Sequence, residues 1–340
     1  MRFLAGLVIA VVLVVAPLRT SANQSTMAPL DVARILAAKY PAQPIMSYIP
    51  ALAWAGSIRL TRLTGEQQWR QKAATEMQAF LTKQTPVIAE PYRLTSLAGG
   101  LAFAEGRDFG DANTELAEQI AAFMLDGTSV RDTTGWTDDM FMVSSVLSRV
   151  PGRGTVVGPL LTSYAAKLQR PDGLFIHAVD GPHAWGRGNG FALLGITEAL
   201  TYLPETWTDR ATVLEIFRKH VAAMAKLQSD DGSWRQVVDE PTSYRELTVT
   251  AMTTAAIARG VRLGWLDRAT YQPVVDRGWN AVAARVNGDG SVRDVCSGTG
   301  AGPTKEYYLN RPVVNGADDR GGAMALLAAI EVETLRRTPR

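Results

Sequence analysis

Apolar residues recur along most of this chain at three- and four-residue intervals, the spacing of one helix face. Upstream, ALAWAGSIRLTRLTG, EQQWRQKAATEMQAFLTK, RLTSLAGGLAFAEG, ANTELAEQIAAFML and DDMFMVSSVLSRV each read as a helix. Downstream the pattern becomes a repeat. An amphipathic stretch (VVGPLLTSYAAKLQ, ATVLEIFRKHVAAMAKLQ or YQPVVDRGWNAVAARV) runs into an Asp-Gly turn at Asp172-Gly173, Asp231-Gly232 or Asp289-Gly290. A short extended piece follows (LFIHAV, SWRQVV or SVRDV), then a loop and a second helix rich in alanine and leucine. These second helices are FALLGITEALTYL, ELTVTAMTTAAIARGVRLG and GGAMALLAAIEVETLRR, and a fourth Asp-Gly pair stands at Asp126-Gly127. The pattern predicts roughly a dozen helices.

A helix pair repeating at about 50 residues cannot bury its apolar face alone, so the pairs must stack. The second helices are poor in charge, as in FALLGITEAL and GGAMALLAAI, which fits helices covered on both sides. An open stack needs polar capping repeats, yet the last helix is apolar almost to its final turn. The expected fold is therefore all-α: six hairpins closed into a ring, an (α/α)6 barrel occupying residues 23–340 as one domain. In such a ring the loops at one end carry the ligand site. The starts of the second helices place WTDDM and WGRGNGF there.

Composition fits a globular protein, with 340 residues, 46% hydrophobic and 20% charged. Net charge is +2 with the signs mixed and no basic stripe, which weighs against nucleic acid as a partner. The chain starts with Arg2, an apolar run from Leu4 to Ala16 and the small residues Thr20-Ser21-Ala22, the grammar of an export signal cut near Ala22. Such a run is too short to span a bilayer comfortably, so the reading is a periplasmic or secreted protein with no stable membrane insertion after cleavage. The single cysteine, Cys296, has no partner for an internal disulfide and reads as a small core residue.

Two segments carry candidate chemistry. DGLFIHAVDGPHAWGRGNGF, residues 172–191, sets two histidines, a tryptophan, an arginine and an asparagine among glycines between two helices. Glycines let backbone approach a ligand, and tryptophan with arginine offers an apolar platform and a fork of donors for a sugar ring and its carboxylate. A long connection whose glycines merely turn the chain accounts for it equally well. The second segment, Trp136-Thr137-Asp138-Asp139-Met140, places two carboxylates before an apolar helix. Helix capping, contributing about 1 kcal/mol, explains acids there. Alternatively one of them is a proton donor. Residues i and i+1 diverge on a helix, so at most one faces the mouth, where Trp136 can desolvate it.

W-T-D-D-M-F-M resembles the W-x-D-x-L-Y-M segment of glycoside hydrolase family 105, the unsaturated rhamnogalacturonyl hydrolases, sisters of the family 88 unsaturated glucuronyl hydrolases. LFIHAVD and WGRGNGF are similar to that family's L-Y-Y-H-x-x-D and W-G-R-x-x-G-W. LQSDDGSWRQVVDEP, the RELTVTAM run, DVCSGTG, YYLNRP and GGAMALLAAIE follow in the family's order, so the likeness runs from about Pro50 to Arg336. It implies an (α/α)6 barrel and a hydrolase without metal or other cofactor, acting on unsaturated uronyl oligosaccharides left by lyases. In the implied chemistry a carboxylic acid protonates C4 of the C4=C5 vinyl ether and water adds at C5. The hemiketal then opens and releases the next sugar, so one carboxyl acts as acid and then base, unlike the pair of an ordinary glycosidase. By resemblance that carboxyl is Asp138. Tyr48, Thr95, His177, Trp185, Arg187 and Phe191 fall on substrate positions, with Trp185 as a stacking surface and Arg187 for the uronate carboxylate.

This sequence departs from the family at several of these places. Thr95 stands where the family has an aspartate, Phe191 replaces the closing tryptophan, and DGTSVRDTTGW lacks the family's histidine. Those changes leave an exported glycan-binding barrel without strong catalysis as an alternative. A sugar epimerase of similar fold calls for several histidines around the mouth, and the chain has only His177, His183 and His220.

Overall fold

The computed structural model describes residues 27–339, and the expected export signal, 1–22, lies outside them. Fourteen helices follow in order among the described residues. They are α1 (Pro29–Lys39), α2 (Tyr48–Thr64), α3 (Gln67–Leu81), α4 (Leu94–Leu97), α5 (Gly100–Glu105), α6 (Asp111–Met124) and α7 (Thr137–Leu147). After these come α8 (Val157–Leu168), α9 (Gly186–Tyr202), α10 (Arg210–Lys226), α11 (Leu247–Arg262), α12 (Arg268–Ala283), α13 (Lys305–Leu309) and α14 (Asp319–Arg337). Three antiparallel two-stranded ribbons decorate the loops: β1 (Leu125–Asp126) with β2 (Ser129–Val130), β3 (Trp234–Arg235) with β4 (Arg245–Glu246), and β5 (Val292–Cys296) with β6 (Val313–Gly316). The extended LFIHAV piece makes only an isolated bridge, Gln169 to Phe175.

Closure is direct. Helix α2 packs on α5, α5 on α7, α7 on α9, α9 on α11, α11 on α14, and α14 returns to α2. Helices α1, α3, α6, α8, α10 and α12 lie outside this ring, giving the (α/α)6 barrel. The charge pattern follows from the layering. Every residue of α11 from Leu247 to Val261 is buried, whereas α10 buries one face through Val213, Phe217, His220, Val221, Ala223 and Met224. The stretch forming α1 is not among the helices the sequence pattern predicts; α1 packs outside the ring, mainly on α14 and also on α2.

The Asp-Gly turns are positive-φ turns, with Gly127, Gly173, Gly232 and Gly290 at φ 61°, 98°, 86° and 76°. The glycines of WGRGNGF do something else. They lie inside α9, which starts at Gly186 and not at Phe191. A Cβ on Gly188 would stand 2.6 Å from Thr137 Oγ1 of α7, and one on Gly190 would stand 2.3 Å from Met252 Cε of α11. Missing side chains let the inner helices touch at the mouth; they do not turn a loop.

The opposite end of the ring is closed by charge. Arg59, Glu105, Arg149, Glu198, Arg259 and Glu331 come one from each inner position, alternate in sign and pair in sequence around the ring. Among the described residues no helix is long and apolar enough to cross a membrane.

Candidate active site

The inner helices all begin at one end, and their first turns build the mouth. On α7 the two acidic side chains diverge. Asp139 is buried and accepts from Thr134 N–H (2.8 Å), Thr134 Oγ1 (3.0 Å), Gly135 N–H (2.8 Å) and Tyr164 Oη (2.6 Å). Burial pushes its carboxyl above the ordinary range, against the pull of those donors. It fixes the turn at Gly135 (φ 80°) that delivers Trp136 and Asp138. Neither acid is the N-cap of α7; that position is Trp136.

Asp138 keeps 18% of its side chain exposed, and its Oδ2 lies 3.2 Å from His177 Nε2. His177 is buried, with the Trp136 ring centroid at 5.2 Å, Trp185 at 4.4 Å and Tyr308 at 5.7 Å. Its Nδ1 lies 2.9 Å from Tyr308 Oη. His177 is set by the loop after α8, and that loop is pinned from α9. Asn189 Oδ1 accepts from Phe175 N–H and His220 Nε2–H, while its Nδ2 donates to the carbonyls of Phe175 and Trp185. The asparagine of WGRGNGF is therefore a splint for the histidine loop.

Arg187 is buried beside these groups. Its Nη1 donates to the Cys296 carbonyl (2.7 Å) and its Nη2 to that of Ser297 (2.6 Å), and its guanidinium lies 4.8 Å from the Trp185 ring. The glycine-rich run 296–302 is thus strapped to the mouth by Arg187. Tyr307 Oη accepts from Gly300 N–H, and Tyr308 Oη accepts from Gly302 N–H. Arg311 donates to the Gly298 carbonyl. Trp185, 1% exposed, packs tilted against the His177 ring.

Tyr48, at the start of α2, is part-buried; its phenol is raised by burial and senses Arg187, Asp138, Arg320 and Asp318. Phe191 is buried behind Tyr48, edge-on at 5.6 Å, and stacks on Phe141 at 5.9 Å. Thr95 is exposed in the first turn of α4. Asp138, His177, Trp185, Arg187 and Tyr48 therefore form one cluster, with Phe191 as its packing and Thr95 on the helix-start end of the ring. Tyr308 and Asn189 are the structural members that sequence reasoning did not assign. Chemically the cluster offers one part-exposed carboxyl, an imidazole on one of its oxygens, aromatic walls and a glycine-rich rim.

Residues 172–336 match the profile of Glycosyl Hydrolase Family 88. The unsaturated 3S-rhamnoglycuronyl hydrolase of Alteromonas sp. (strain LOR) is 34% identical over 128 residues, 37% of this chain and 31% of that protein. The unsaturated rhamnogalacturonyl hydrolase YesR of Bacillus subtilis (strain 168) is 29% identical over 128 residues, 38% of this chain and 35% of that protein. The matched part spans about a third of these relatives' length. A possible GH105 member from Klebsiella pneumoniae superposes with a TM-score of 0.79 over 95% of this chain and 96% of that one, at 19% identity, a likeness of fold.

Proposed function

This chain is related to glycoside hydrolase families 88 and 105, and we propose on that premise that it removes a terminal 4,5-unsaturated uronic acid from oligosaccharides left by a polysaccharide lyase. The observation that carries the reading is the Asp138–His177 pair at the start of α7: a part-exposed carboxyl with one oxygen held, in a ring of aromatic side chains. Asp139 is engaged by four donors, so the site has a division of labour in which Asp138 handles protons and Asp139 holds the turn.

Asp138 protonates C4 of the vinyl ether, the developing positive charge rests on C5 and the ring oxygen, and water adds at C5. The Asp138 carboxylate takes the water's proton, and the hemiketal at C5 opens to release the neighbouring sugar. One carboxyl suffices because the anomeric carbon is not attacked. The relatives' names, rhamnoglycuronyl and rhamnogalacturonyl, support rhamnose as the sugar released.

The test is absorbance of the unsaturated uronate, followed with lyase-generated disaccharides of ulvan and of rhamnogalacturonan. Turnover of either, with a saturated uronide of the same length untouched, is the expected result. Equal cleavage of the saturated compound would establish an ordinary glycosidase instead. Binding without turnover of any of them would favour a glycan-binding barrel, the alternative raised by Thr95.

A further inference from the structure

We propose that Tyr308 is a positioning residue for this reaction: its buried phenol donates to Nδ1 of His177 and holds the imidazole as the neutral Nε2–H form that donates to Asp138. The inference rests on the acid role given to Asp138 above.

Tyr308 is 0% exposed in α13, within the long excursion between α12 and α14, and its Oη accepts the Gly302 N–H at 3.2 Å. Backbone closes another side, since a Cβ on Gly181 would fall 2.4 Å from that oxygen. Among the described residues its other hydrogen-bond partner is His177 Nδ1 at 2.9 Å. If Nδ1 carried a proton, Oη would accept twice and its own hydrogen would be buried without an acceptor, a penalised state. The phenol therefore donates, Nδ1 accepts, and the single imidazole proton sits on Nε2, 3.2 Å from Asp138 Oδ2. Burial pushes the Tyr308 phenol up to about 12, so this donor keeps its proton at ordinary working pH.

The consequence falls on Asp138. A neutral Nε2–H donor occupies Oδ2 and leaves Oδ1 to carry the proton bound for C4. The same donor then stabilises the carboxylate formed on transfer. An imidazolium in its place would favour the carboxylate beforehand and remove the acid. Around the carboxyl stand Asp139, Tyr48 and Arg187, and around the phenol Asp180, Tyr307 and His183. Among the described residues, Tyr308 is the group that hydrogen-bonds Nδ1 of His177.

Two measurements decide the matter. In the intact wild-type protein, long-range proton–nitrogen correlation, assigned by loss of the signals in His177→Gln, should show a neutral ring protonated at Nε2. Tyr308→Phe should lower kcat by roughly 10- to 100-fold with little change in KM, and move the alkaline limb of the kcat profile to lower pH. Tyr307→Phe, which removes a hydrogen bond to the same strap at Gly300, should leave that limb in place. An Nδ1–H ring in the wild type, or a Tyr308→Phe limb that coincides with the wild-type limb, overturns the proposal. Wild-type protein inert toward every unsaturated uronide would instead sink the proposed function, and the tautomer spectrum, which needs no substrate, tells the two failures apart.

Discussion

Asp138 and Asp139 are neighbours with separate tasks, and conservative replacements should separate them. Asp138→Asn removes the transferable proton, and among the described residues the side chain's hydrogen-bond partner is His177, so turnover should fall by at least about 10²-fold with the melting temperature unchanged. Asp139→Asn exchanges one acceptor oxygen for an amide facing Tyr164 Oη and two backbone N–H groups. Stability should drop by about 1–3 kcal/mol in urea unfolding, with activity per folded molecule largely retained. Full inactivation by Asp139→Asn at unchanged stability would mean that the roles are reversed. The two acids were visible in the sequence as a pair that must diverge. What stayed hidden was the partner of each, because Tyr164 and His177 lie 25 and 39 residues further along. Arg187 teaches the same lesson. Its place in the cluster was legible, but its two terminal nitrogens grip backbone carbonyls more than a hundred residues away. Arg187→Lys keeps the charge and loses the fork, so the 296–302 strap should loosen and KM for the unsaturated uronide should rise. Unchanged KM would remove the strap from substrate binding.

At the level of elements, the hairpin rhythm could be read because helix spacing and Asp-Gly turns are local. Glycines inside α9 could not, since a glycine that bends a loop and a glycine that admits a neighbouring helix look alike in sequence. The contact decides. A Cβ on Gly195 would stand 2.3 Å from the Met140 carbonyl oxygen of α7, and backbone in a packed ring cannot move aside cheaply. Gly195→Ala should therefore cost about 1–3 kcal/mol or more despite the better helix propensity of alanine, read from the urea midpoint. Gly288 supplies the contrast: it is exposed, with nothing within 4 Å of its added Cβ. Gly288→Ala should be neutral or stabilise by up to about 1 kcal/mol. Equal effects at both sites would show that α7 and α9 do not depend on this close approach. The same approach sets Asp138, because α7 carries the acid and α9 carries Asn189 and Arg187.

For the whole molecule, the far end of the barrel predicts how the protein responds to acid. Arg59–Glu105 (2.7 Å), Glu198–Arg259 (2.7 Å), Arg259–Glu331 (2.5 Å), Arg149–Glu105 (3.5 Å) and Arg59–Glu331 (4.0 Å) join the Arg149–Glu198 pair into a closed circuit. The six charges come from six separate inner elements, Arg149 from just past the end of α7, so the circuit exists only once all six are side by side. That is why charge poverty was legible in the sequence and the ring was not. Burial drives the Glu105 and Glu198 carboxyls upward, yet the facing arginines outweigh it and hold both at about 2; Glu331 is lowered in the same way. Depressed carboxyls contribute stability that is full above their unfolded value near 4.5 and drains away as pH falls toward about 2. His220 adds to the acid branch, because burial holds it down to about 3 and the unfolded chain takes up its proton from near 6.5. Urea unfolding at pH 7, 4.5 and 3 should therefore show a steep loss of stability below pH 4.5. Glu198→Gln leaves Arg149 and Arg259 without their shared partner, which should cost about 3–5 kcal/mol at pH 7. It also removes one depressed carboxyl, so the variant's stability should fall less steeply between pH 4.5 and 3. A variant with the wild-type slope would mean that Glu198 is not held ionised in the folded ring, and that the circuit closes the barrel by hydrogen bonding alone.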